Sequence, residues 1–179
     1  MPRCAAFLGS INVGGNRLAM ADLRAALVGA GFAGVETVAA SGNVLLDLDD
    51  ADRAGAAGEI ARVVKAEFGI DSLVVVRNRA SVWSAIEDNP FHGDGQDRFV
   101  HSIFLDRLPP AERFEALLAE HRSRGGERLA LGPGVLYLDY VHGVGVSSLT
   151  GAFLQRRLGV RGTARNMTSL KRILAKMDF

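Results

Sequence analysis

The stretch Val35–Leu48, VETVAASGNVLLDL, holds two strand-like runs separated by only Ser41 and Gly42. So short a connection permits antiparallel pairing alone, because parallel neighbours need a crossover of a dozen or more residues. The pair Ser-Gly before Asn43 has the composition of a tight hairpin turn. The elements around this hairpin then narrow the fold. Cys4–Ile11 is short and mostly apolar and reads as a buried strand. Over Met20–Phe32, the residues Met20, Leu23, Ala26, Leu27 and Ala30 fall on one helical face, and Gly31 fits a helix stop. After the hairpin, Asp50 or Asp52 is expected to cap a helix with Ile60, Val63, Val64 and Phe68 on its apolar face. Ser72–Arg77 is a fourth strand. The order βαββαβ is the ferredoxin-like arrangement, an antiparallel four-stranded sheet with two helices on one face. The other face must be solvated, pack on something else or bind something.

The second half repeats that order. Ser81–Pro90 reads as a short helix stopped by its proline, and Asn89–Asp97 as a polar, glycine-bearing connection. Strands are expected at Arg98–Leu105, Glu127–Gly132 and Gly134–Tyr140, with a last one at Val160–Arg165. Helices are expected at Pro109–Arg122 and Ser148–Gly159, and a closing helix at Met167–Met177. The expected fold is therefore α+β, with two tandem ferredoxin-like (βαββαβ) subdomains and an extra C-terminal helix. The subdomains are 1–88, with a trailing short helix, and 98–179, joined by 89–97. This rests on element order, since no sequence identity between the halves is visible.

Charge bounds the partners only weakly. The chain of 179 residues carries 21 basic and 20 acidic side chains, a net charge of +1, which gives no global reason for a nucleic-acid or membrane-surface partner. The C-terminal region is the exception, with seven basic and no acidic residues from Arg156 to Lys176. The single cysteine, Cys4, lies in an apolar run and reads as an inert buried thiol, which points to the cytoplasm. No window has the apolar length of a membrane helix.

Several short motifs together resemble a widespread bacterial family, the domain of unknown function numbered 1697. Ile11, Asn12, Val13, Gly14 and Gly15 match its first motif; Thr37, Ser41, Gly42, Asn43 and Val44 match its second. Arg77 matches an arginine ending the fourth strand, Asn89-Pro90-Phe91 a central motif, and Tyr137 a tyrosine in a late strand. Thr163, Arg165, Asn166 and Thr168 match the last motif. The resemblance runs from Met1 to the final helix and implies a body of two ferredoxin-like subdomains, without an assigned activity. This chain departs from the family pattern at Gly9, where arginine is usual, and at Ser10, Val38, Ala40 and Met167.

The segment Asn12–Asn16 joins a strand to a helix, the setting in which backbone N–H groups cradle phosphates. It is neither GxGxxG nor a P-loop, so a plain turn with glycines at positive φ is the competing account. Ser41 and Asn43 offer polar groups at a sheet end, expected to lie opposite the glycine loop. Arg165 is a candidate anion ligand and Asn166 a helix cap, with the helix N-terminus behind them. His92, Asp94, Asp97 and His101 have metal-ligand side chains without metal-site spacing, and read as a hydrophilic connection. No metal site or cofactor is expected.

The first functional reading is binding of a small anionic or phosphorylated ligand through Asn12, Gly14, Gly15, Arg17, Arg165 and Asn166. The second is a hydrolase or transferase acting on such a ligand, with Asn12, Ser41, Arg77 and Arg165 as polar actors. The third is a single-stranded nucleic-acid-binding module using the basic C-terminal face.

Overall fold

The structure, a computed structural model, describes residues 1–178. The first half runs β1 (Arg3–Leu8), α1 (Met20–Gly29), β2 (Ala33–Val38), β3 (Asn43–Asp47), α2 (Asp50–Phe68), β4 (Val74–Asn78) and α3 (Arg79–Glu87). The second runs β5 (Val100–Leu105), α4 (Ala111–His121), β6 (Arg128–Gly132), β7 (Val135–Asp139), a 3₁₀ turn at Val144–Val146, α5 (Gly151–Leu158), β8 (Gly162–Asn166) and α6 (Met167–Lys176). The strands form two four-stranded sheets, ordered β2-β3-β1-β4 and β6-β7-β5-β8, with every neighbouring pair antiparallel. This is the expected α+β architecture of two ferredoxin-like halves and a closing helix.

The chain divides into two compact units, one holding Met1–Trp83 with the residues from Arg172 onward, the other Ser84–Lys171. In the first, Cys4, Ala6 and Leu8 of β1 pack with Leu23 and Leu27 of α1 and with Ile60 and Val64 of α2. In the second, Ile103 and Leu105 of β5 pack with Phe114 and Leu117 of α4 and with Leu154 and Leu158 of α5. The opposite sheet faces are buried too: Ala5, Phe7, Leu45 and Val75 in one unit, Ser102, Phe104, Val135 and Tyr137 in the other. Burial on both faces explains why β1 reads as a continuous apolar run rather than an alternating one. Cys4 is a buried free thiol, pushed up from its ordinary value chiefly by that burial.

Helix α2 begins without a side-chain cap. Asp49, in extended backbone, occupies the cap position, and Asp50 is already helical and pairs with Arg53 at 2.6 Å. The expectation of an Asp50 or Asp52 cap is corrected accordingly. An acidic first turn still suits the positive end of the helix.

The register reveals a repeat that the sequence hides. Leu8 pairs with Val74 and Ala5 with Arg77; Leu105 pairs with Gly162 and Ser102 with Arg165. Arg77-Asn78 and Arg165-Asn166 thus hold the same place at the end of the fourth strand. Each asparagine caps the helix that follows without a loop: Ser81 N donates to Asn78 Oδ1 and Ser169 N to Asn166 Oδ1, both at 2.9 Å. Likewise Leu8 N donates to Gly42 O at 2.9 Å, and Leu105 N to Gly134 O at 3.0 Å. Asp47 meets Arg3 across one sheet, and Asp139 meets Arg128 across the other. Replacing Asn78 or Asn166 by alanine is expected to cost about 1 kcal/mol each. Urea denaturation of Asn78→Ala and Asn166→Ala measures this, and unchanged midpoints contradict the capping role.

Candidate functional site

The glycine loop and the β2–β3 hairpin lie at the same end of the first sheet, correcting the expectation that they lie opposite. Both β1 and β2 run antiparallel to β3, so they are parallel to each other and their C-terminal ends coincide. The two segments are in contact. Gly42 has φ +80°, and a Cβ there would stand 3.1 Å from side-chain carbons of both Leu8 and Ile11. The hairpin therefore needs glycine for its handedness and for close approach.

Asn12 joins the two segments through its side chain. Its Nδ2 donates to Ala40 O at 2.7 Å and to Leu18 O at 3.0 Å, while its Oδ1 accepts from Leu18 N at 2.9 Å. Its backbone N–H donates to Asn16 O at 2.7 Å, closing the loop on itself. Asn16 Nδ2 in turn donates to Ser10 O at 3.1 Å. Both amide hydrogens of Asn12 are thus committed to carbonyls, which makes this side chain a brace for the loop. The buried Asn43 does the same for the hairpin, donating to Val38 O and to Ser41 Oγ, each at 3.0 Å.

The braced loop carries unusual backbone. Ser10, Asn12 and Ala39 all have φ near +60°, and among the described residues only Val141 joins them as a non-glycine with positive φ. Such residues cost of order 1–3 kcal/mol each and persist where the surroundings over-determine them. Gly14 and Gly15, at φ +57° and +92°, are exposed, with open space around their Cα atoms. The N–H groups of Val13, Gly14 and Gly15 make no hydrogen bond within the described chain. The Arg17 guanidinium is exposed beside them, touching Asn12 O at 3.4 Å. Helix α1 starts only at Met20, so its N-terminus does not stand directly behind the glycines.

The two buried arginines are set differently. Arg77, at the end of β4, donates to Val76 O at 3.1 Å, and burial followed by the Arg53 charge lowers its guanidinium from the ordinary value. Arg165, 7% exposed, donates to Thr163 Oγ1 and Ala164 O at 2.8 Å, and burial pushes it down to about 10. At about 10, Arg165 still carries its charge at neutral pH. Asn166 Oδ1 is occupied as the α6 cap. In the basic C-terminal stretch, Arg157 pairs with Glu120, Lys171 with Asp97 and Lys176 with Glu36. Asp94 pairs with Arg128, and among the described residues no three His, Cys, Asp or Glu side chains converge as a metal site. No described helix is long and apolar enough to cross a membrane.

One polar cluster in the second unit has no signal in the sequence. Ser147 Oγ donates to Glu127 Oε1 at 2.6 Å, and the buried His121 Nε2 lies 3.4 Å from Glu127 Oε2. Burial works to raise the Glu127 carboxyl, but the Ser147 hydroxyl, a backbone hydrogen bond and the neighbouring His121 and His142 hold it below its ordinary value of 4.5. Twenty residues separate Ser147 from Glu127, so no local spacing signals the contact.

The two sheets and their helices define an α+β protein of two similar ferredoxin-like units. The chain belongs to the family described as "Protein of unknown function (DUF1697)", which matches residues 1–137. The last motif, Thr163–Thr168, lies beyond that match. Among solved structures, the chain is similar to the conserved bacterial protein SP0830 from Streptococcus pneumoniae, with 20% identity and a TM-score of 0.71. That similarity covers 100% of this chain and 99% of the other, and concerns the fold. No curated protein matches the sequence.

Two outcomes follow from this geometry. Asn12→Ala removes three side-chain hydrogen bonds and is expected to destabilise by about 1–3 kcal/mol, with faster amide exchange at Leu18. Hydrogen exchange and urea midpoints read both effects. A carboxyl held low in the folded state contributes stability above its unfolded pKa and loses it as pH falls through the folded one. Ser147→Ala is therefore expected to be less stable than wild type at pH 7. The gap should close as pH drops below about 4.5. A pH-independent gap in urea midpoints would contradict the Glu127 linkage.

Proposed function

We propose that the protein binds a small molecule carrying an anionic group, phosphate or carboxylate, at the β1–α1 loop. The observation that carries this reading is the exposed run of Val13, Gly14 and Gly15 amides beside the Arg17 guanidinium, on a loop held in strained backbone by Asn12. Backbone N–H groups and an arginine are the ordinary partners of an oxyanion. Strain concentrated in one braced loop is a usual mark of a pre-organised site. In this reading Arg17 supplies the charge that the family usually places at position 9, where this chain has glycine. Asn12, Ser41 and Asn43 are positioning residues, and Gly14 and Gly15 supply main-chain donors. Arg77, Arg165 and Asn166 support strand and helix ends rather than touching the ligand. The single buried thiol of Cys4 suits a cytoplasmic setting.

Calorimetric titration with inorganic phosphate, and then with phosphorylated sugars and nucleotides, tests the reading. Wild type is expected to bind, and Arg17→Ala to bind about tenfold or more weakly, the loss of one charge-assisted contact. Arg165→Ala, where it folds, is expected to keep the wild-type affinity. No measurable heat with any of these probes, or equal affinity in Arg17→Ala, would overturn it.

A further inference from the structure

We propose that the second unit holds a separate site for a small uncharged apolar molecule, between α5 and the edge strand β8. A cavity of about 230 Å³ opens there. Its walls are Ile103, Leu105 and Leu136 from the sheet, Leu154 and Leu158 from α5, and Val160.

The internal repeat shows why the space exists. By register, Gly162 and Ala164 of β8 hold the positions that Val74 and Val76 hold in β4. In the first unit both valines are buried, and the helix over that sheet, α2, runs for 19 residues. In the second unit Gly162 and Ala164 are exposed, and the matching helix α5 has 8 residues. The same fold is therefore filled on one side and left open on the other. The opening cannot close by growth of β8 at Gly162. A Cβ there would stand 2.6 Å from Ile103 Cγ2 and 3.0 Å from Leu105 Cδ2, because those side chains lean across the strand.

The lining selects the occupant. It includes no charged side chain, and Gln155 supplies its one amide. The Tyr140 hydroxyl already donates to Leu149 O at 3.3 Å. A charged ligand would thus be desolvated without compensation. An apolar cavity of roughly 150 Å³ accepts one benzene, so this one suits a molecule of about eight to ten carbons with at most one hydrogen-bonding group. At the mouth, Val144 is half exposed, and the loop before it contains the left-handed residues Val141 and Gly143. A β-branched residue at φ +59° is a genuine backbone outlier.

Methyl-resolved NMR of the full chain, titrated with toluene and 1-octanol, tests the site. Saturable shifts are expected at Ile103, Leu105, Leu136, Leu154 and Leu158, and not at Ile60, Val63 or Val64 of the first unit. Ala164→Leu grows an exposed side chain into the opening and is expected to weaken binding about tenfold. Octanoate is expected to bind more weakly than 1-octanol. Absence of saturable shifts with either probe, shifts centred elsewhere, or unchanged affinity in Ala164→Leu would each overturn the proposal. Should Ala164→Leu fail to fold, the wild-type shift map decides by itself.

Discussion

Burial of both faces of the central strands β1 and β5 is the constraint on which the rest depends. A strand buried on one face can turn polar side chains to water on the other. Here β1 and β5 cannot, and every inward polar group must find a partner inside the chain. Asn43 bonds Val38 O and Ser41, Ser102 donates to Ala85 O at 2.8 Å, and Arg165 bonds Thr163 and Ala164 O. The Asn-Pro-Phe motif belongs to the same system. The buried Asn89 accepts from Phe91 N at 3.0 Å and reaches Ser102, while the Phe91 ring lies under the Arg128 guanidinium. Several residues that look like reactive polar groups in the sequence are satisfied polar groups around these doubly buried central strands.

The two halves keep the same pairing scheme and differ in how they fill it. Equivalent hydrogen bonds tie Leu8 to Gly42 and Leu105 to Gly134, and equivalent Arg-Asn pairs end the fourth strands. Backbone geometry and helix capping demand these, so both units have them although most of their side chains differ. Packing over the sheet faces is freer, because volume can be shared among many residues. That is where the units part, with valines and a long helix in one, and glycine, alanine and a short helix in the other. The first unit instead concentrates its irregular backbone at the sheet end shared by the glycine loop and the hairpin. The candidate sites in the two units therefore differ in chemistry: one offers N–H groups and a cation, the other an apolar wall.

Much of the architecture was legible in the residues. The apolar periodicity of Met20–Gly29 and Met167–Lys176, and Gly69 closing α2, report local preferences that survive folding; the hairpin forms too, though its connection is Ala39–Gly42 rather than Ser41-Gly42 alone. The last strand, expected at Val160–Arg165 and found at Gly162–Asn166, forms because pairing with β5 overrides the poor propensity of Gly162. Helix caps were legible in part: Asn166 caps α6 as expected, but α2 has no side-chain cap. Aspartates before α2 serve as first-turn charges, and the bonds that decide a cap depend on backbone angles that composition does not specify.

The sequence by itself determined the order of elements, the hairpin, the family and the polar motif residues, because those follow from local pattern and short motifs. Tertiary structure decided what those residues do. Asn12 became a brace because the parallel run of β1 and β2 brings Ala40 to it across 28 residues. Arg165 became a buried strand-end group because its register opposite Ser102 turns it inward. Ser147 met Glu127, and β8 left a cavity, through contacts between segments far apart in the chain. Local propensity fixes which way each segment bends. Register and burial, which are properties of the assembled sheets, fix which side chains remain available for chemistry.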